Sequence, residues 1–143
     1  MLACISIGEH KLGFAQLMNK KAKPEKQQRA QGKPLYILHG EIRTPPLSNT
    51  ARRIVGFQLR RLQQGQTLSM PISRPMPTIE ADCHELRISD AERNVAWRVI
   101  YCIDTDAVVV LEVFEKKTQE TPEAVKRICR ERLRRYFELK EGK

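Results

Sequence analysis

The chain is poor in the residues that build zinc sites, disulfide scaffolds and membrane spans. Its four cysteines, Cys4, Cys83, Cys102 and Cys129, form no CxxC pair, and there are only three histidines, His10, His39 and His84. Zinc ligands come at closer spacing, so no metal site and no cofactor is expected. Cys102 falls in a strand pattern and Cys129 on an apolar helix face. Both read as small core residues, and reduced thiols in a cytoplasmic protein are expected. Aromatic residues make up 6% of the chain, so the core must rest on Val, Ile and Leu. No apolar run approaches the length of a membrane span. The short apolar stretch at residues 2–7 meets Glu9, His10 and Lys11 at once, and a secretory signal needs a longer apolar core. Membrane association is therefore not expected.

Positive charge, by contrast, is abundant. The net charge is +9 over 143 residues. Residues 1–32 contribute +4, from six Lys/Arg and two Asp/Glu; residues 33–143 contribute +5, from twenty and fifteen. The excess is spread along the chain rather than held in a tail. A small basic domain favours nucleic acid or an acidic protein as partner.

Residues 19–33 (NKKAKPEKQQRAQGK) carry no apolar periodicity. Residues 1–32 accordingly read as a disordered basic extension and 33–143 as the folded domain. Met18 stands just before the polar tract, so the first 17 residues are consistent with an early start codon.

Residues 34–39 (PLYILH) read as a short strand, broken at Thr44-Pro45-Pro46. A helix follows, with Ser48 or Asn49 as cap and Gly65 past its end. Ala51, Ile54, Val55, Leu59 and Leu62 recur at helical spacing. Arg52, Arg53, Arg60 and Arg61 fall mostly on the other faces. Residues 66–82, with three prolines, read as a long irregular loop whose only cation is Arg74. Three strands come next, at 83–89, 95–103 and 107–114, joined by short turns into an antiparallel meander. In the second, Val95, Trp97, Val99, Tyr101 and Ile103 share one face, and Ala96, Arg98, Ile100 and Cys102 the other. The apolar run 107–114 predicts burial on both faces. Thr121 is a favourable N-cap and Pro122 a favourable first residue for a last helix. Val125, Ile128, Cys129, Leu133, Tyr136 and Phe137 form its apolar stripe.

HELRI (84–88), WRVIY (97–101), VVVLEVF (108–114) and FEKKTQETP (114–122) resemble, in that order and spacing, the RelE/HigB superfamily of toxins from type II toxin–antitoxin modules. The nearest likeness is to its phage-derived HigB-like branch, over about residues 33–139. The resemblance implies a small α+β RelE-like domain: an antiparallel-dominated sheet with an N-terminal helical segment and a C-terminal helix. It also implies ribosome-dependent cleavage of mRNA, neutralised by an antitoxin protein, often one with a helix-turn-helix domain. Relatives that inhibit DNA gyrase share the fold but lack the nuclease cations. A non-catalytic prophage domain that binds RNA or protein is a third reading.

Metal-independent RNA cleavage uses the 2′-hydroxyl against its own phosphate, so the protein must stabilise a phosphorane. Arg suits this because its planar fork matches phosphate oxygens. Arg98 matches the strand arginine of the motif, and Arg87 the basic position on the neighbouring strand. Glu85, on the face of Arg87, is either a general base or a group that orients it. Of Lys116 and Lys117, one should point into the site and one to solvent, because strand neighbours alternate. Arg74, Arg52 and Arg60 are candidate RNA-backbone contacts. His84 alternates with the core-facing set and reads as structural. No Tyr or His follows Lys117 before Tyr136, so the sequence names no general acid.

Overall fold

The meander is the frame on which everything else is placed. The computed structural model describes residues 32–38 and 46–142. The expected basic extension, apart from Gly32, and Met18 lie outside the described residues. The elements are β1 (Leu35–Ile37), α1 (Asn49–Gln63), β2 (Ser73–Pro75), β3 (Cys83–Asp90), β4 (Val95–Asp104), β5 (Ala107–Glu115) and α2 (Glu123–Glu141). The strands form one sheet in the order β1-β5-β4-β3-β2. Among the described strands only the β1–β5 pair is parallel. Among the described residues the fold is α+β, with two helices and a five-stranded, mostly antiparallel sheet.

Strand alternation divides the core in two. On one face Leu86, Ile88, Trp97, Val99, Tyr101, Val108, Val110 and Val113 pack against Ala51, Val55, Leu59 and Leu62 of α1. On the other, Cys83, Ile100, Cys102, Val109 and Leu111 pack against Cys129 and Leu133 of α2, with Met76 and Ile79 from the β2–β3 connection. β5 is buried on both faces, as its continuous apolar run predicts.

A β-bulge interrupts the β4–β5 ladder. Ile100 faces Glu112 and Tyr101 faces Val110, so Leu111 is left without a partner. One extra residue reverses the parity of everything after it. Val108 and Val110 face α1, yet so does Val113. Glu112, Phe114 and Lys116 are therefore turned to the α2 face.

Ser48 caps α1 by accepting from the Ala51 N–H at 3.1 Å. Gly65 follows the helix with φ +91°, a conformation that L side chains rarely adopt. Two sequence expectations are corrected. Residues 66–82 are not wholly irregular, because β2 forms within them and pairs with β3. Thr121 does not cap α2: the helix starts at Glu123, Pro122 holds the cap position, and no side chain caps it. The Thr121 hydroxyl is engaged elsewhere.

Candidate functional site

The sheet carries α2 over only part of its second face. Beyond the start of that helix, β2, β3, β4 and the end of β5 present charged side chains. Their positions follow from register. Arg74 on β2 lies opposite Glu85 on β3. Arg87 lies opposite Arg98 on β4. The Lys116 N–H donates to the Ala96 carbonyl at 2.7 Å, which sets Lys116 beside the same strand. Cross-strand partners share a face, so all five side chains emerge on one side.

Glu85 is the centre of the cluster and is fully buried. Its Oε1 lies 3.3 Å from Arg74 Nη2 and 3.7 Å from Arg98 Nε. These are ion-pair distances without hydrogen-bond alignment. Its Oε2 accepts from the Thr121 hydroxyl at 2.7 Å. Arg98 also donates through Nη1 to the Trp97 carbonyl at 3.0 Å. The Nε groups of Arg74, Arg87 and Arg98 are all buried, and among the described residues none has a hydrogen-bond partner. Buried donors without acceptors are costly and uncommon. Three on adjacent strands, beside Glu85 Oε1, which likewise lacks a hydrogen-bond partner among the described residues, form a polar cluster whose hydrogen-bonding capacity is not used up.

The electrostatics agree. Burial lowers the Arg98 pKa; Glu85 opposes this, and Arg87 and Arg74 lower it further. Burial likewise holds Lys116 below the ordinary lysine value, with Glu85 opposing and Arg98, Arg74 and Arg87 adding to it. Four cations thus face one carboxylate. Such an excess, partly removed from water, favours an anion with several acceptor oxygens.

The structure brings together Arg98, Arg87, Glu85, Lys116 and Arg74. It does not bring Lys117, which is exposed on the opposite alternation. Nor does it bring Arg52 or Arg60, which belong to α1 on the far side of the sheet. Arg52 is tied locally to the Leu47 carbonyl and Asn49. His84 stacks on Tyr101, with ring centroids 5.3 Å apart, on the α1 side. Tyr136 donates to Asp104 towards the other end of α2. Thr121 is the member of the site that sequence reading missed. Its place before Pro122 signals a cap, and nothing local reveals a carboxylate 36 positions away.

The thiols stand apart from this chemistry. Cys83, Cys102 and Cys129 are buried and free. A hydrogen bond with Cys102, and then burial, push the Cys83 thiol far up. Burial raises Cys129 to about 12, with Glu112 adding to the effect. Among the described residues, no group of three or more His, Cys, Asp or Glu is placed to hold a metal ion. No helix among them is long and apolar enough to cross a membrane.

An α+β domain with two helices and a five-stranded, mostly antiparallel sheet among the described residues is consistent with a small RelE-like domain. The chain belongs to the family described as phage derived protein Gp49-like (DUF891), which matches residues 45–134. That family lies within the RelE/HigB-like toxin superfamily. Among curated proteins no relative matches.

Proposed function

We propose that this protein is the toxin of a type II toxin–antitoxin module, of the HigB-like branch. Its activity in this reading is ribosome-dependent, metal-independent cleavage of mRNA. The observation that carries the reading is the set of three buried arginine Nε groups on adjacent strands that lack a hydrogen-bond partner among the described residues, with Lys116 beside them. Membership of the Gp49-like family is compatible with a toxin of this kind.

In the reaction, the 2′-oxygen loses its proton and bonds to the adjacent phosphorus. The bond from phosphorus to the 5′-oxygen breaks, and that oxygen takes up a proton. The products are a 2′,3′-cyclic phosphate and a free 5′-hydroxyl. Arg98 and Arg87 act on the non-bridging oxygens, where negative charge grows in the transition state. Arg74 and Lys116 hold the flanking backbone. Of the two roles open to Glu85, its burial supports orientation rather than proton abstraction. Its contacts make Arg74 and Arg98 the residues it orients. The partners in this reading are mRNA in the ribosome and a helix-turn-helix antitoxin, and the compartment is the cytoplasm.

The test is to add purified protein to programmed ribosomes and map mRNA ends by primer extension, beside Arg98→Ala. Discrete cuts by wild type, lost in the variant, support both the activity and the site. Equal cutting by both keeps the activity and removes Arg98 from it. No cutting by folded wild type turns the reading to gyrase inhibition or a non-catalytic binder.

A further inference from the structure

Resting on that reading, we infer that Thr121 is a positioning residue of the site, acting through Glu85 to set the reach of Arg74 and Arg98. Thr121 is 5% exposed and its hydroxyl has one proton, given to Glu85 Oε2 at 2.7 Å. That bond decides which carboxylate oxygen faces the arginines. With Oε2 occupied, only Oε1 is turned to Arg74 and Arg98, at 3.3 and 3.7 Å. Neither contact is aligned as a hydrogen bond, and the buried Nε groups of both arginines have no hydrogen-bond partner among the described residues. Without the hydroxyl, Oε2 becomes a second buried acceptor with no donor. The cheapest remedy is rotation of the carboxylate, so that it takes aligned hydrogen bonds from the guanidinium groups. The arginines would then be spent on Glu85 and drawn away from the phosphate.

The segment from Lys116 to Thr121 is built to hold this contact. Lys116 Nζ donates to the Gln119 carbonyl at 2.6 Å, and the Thr118 hydroxyl donates to the Glu120 carbonyl at 2.7 Å. Pro122 fixes the backbone next to Thr121, and α2 starts at once behind it. The strap therefore anchors a cluster cation at one end and the carboxylate's hydrogen-bond donor at the other. This accounts for a buried Thr at a helix start that has no side-chain cap.

The experiment compares wild type, Thr121→Val and Thr121→Ser on programmed ribosomes, measuring cleavage rate against ribosome concentration. Thermal unfolding of each protein is measured alongside. Val keeps the shape and removes the hydroxyl; Ser keeps the hydroxyl. The expected result is a fall in kcat of roughly ten- to a hundredfold for Thr121→Val, the scale of a misplacement of about 1 Å. KM should move less than about threefold, since remote contacts to the ribosome are untouched. Thr121→Ser should recover most of the rate. Unchanged kcat in a folded Thr121→Val overturns the inference. So does a Ser variant as slow as Val while both melt like wild type, because that makes the methyl group and not the hydroxyl decisive. If Thr121→Val does not fold, the Ser variant and Thr121→Ala carry the test: Ala has no donor to offer Glu85, so a folded Ala variant that retains full kcat overturns the role. Wild type that fails to cut overturns the nuclease reading and this role together, and is told apart because the failure includes wild type.

Discussion

The two faces of the sheet are made from the same strands but solve different problems. Towards α1, polar groups are few and mostly answered. Asp90 accepts from the Ser48 N–H at 3.0 Å and from Trp97 Nε1 at 3.1 Å. The Ser73 and Tyr101 hydroxyls meet at 2.6 Å. Around them lies a close-packed set of branched and aromatic side chains. Towards α2, the helix covers Ile100, Cys102 and Leu111 and then stops. The uncovered part carries Arg74, Arg87, Arg98 and Lys116 around one buried carboxylate, with donors left over. One face is finished by the chain itself. The other keeps buried donors without acceptors among the described residues, and it is where the proposed RNA phosphate would bind. Sites of this kind hold unfavourable groups that the rest of the fold must offset.

The sharpest way to break this contrast is to damage each face in turn. Leu86 is fully buried on the α1 face. Leu86→Ala should cost about 2–5 kcal/mol of stability, as buried Leu→Ala changes do. Chemical denaturation reads this, and the folded fraction should cut mRNA normally. Arg98→Ala should do the opposite. Cleavage should fall by roughly 10²–10³-fold, the effect of losing one donor to transition-state charge. The melting temperature should hold or rise, because a crowded cation is gone. A variant that loses stability and activity in parallel at Arg98 would dissolve the distinction between the faces.

A third test uses pH. Burial pushes the Asp90 carboxyl up, but hydrogen bonds from Ser48, Trp97 and Arg93 outweigh it and hold the pKa at about 2, below the ordinary 3.8. A carboxyl depressed in the folded state adds stability above its unfolded value and loses it as pH falls through the folded one. Wild type should therefore melt progressively lower between about pH 4 and pH 2. Asp90→Asn should be less stable at neutral pH and flatter across that window. A variant that keeps the wild-type slope would place the acid sensitivity elsewhere. The smallest expected effects lie off both faces. Lys117→Ala and Arg60→Ala should change cleavage less than about twofold, whereas Lys116→Ala should lose about tenfold or more, in line with an electrostatic contact in the site. If Lys117 matters as much as Lys116, the register after the bulge is wrong.

Much of this architecture is legible along the chain. The alternation in residues 83–114 places Trp97, Val99 and Tyr101 on one face and Arg98 and Ile100 on the other, as the two cores confirm. Helical spacing marks α1 and α2, and Ser48 and Gly65 mark the ends of α1. Arg98 and Arg87 stand out because a cation on a sheet face is expensive unless it has work there. β2 is not legible. Its three residues, the last of them Pro75, carry no periodic signal, and they form a strand only because β3 offers its edge. Arg74, a lone loop cation in the sequence, thereby comes within 3.3 Å of Glu85.

The sequence alone determines the α+β class, the meander, the two helices and the arginines on one strand face, because period-2 and period-3.6 patterns are local. Tertiary structure alone decides which groups meet. The bulge at Leu111 turns Lys116, and not Lys117, towards Arg98, because one unpaired residue reverses every side chain that follows. Thr121 gives up its capping role because a buried carboxylate needs its proton more than an exposed helix end, whose N–H groups water can satisfy.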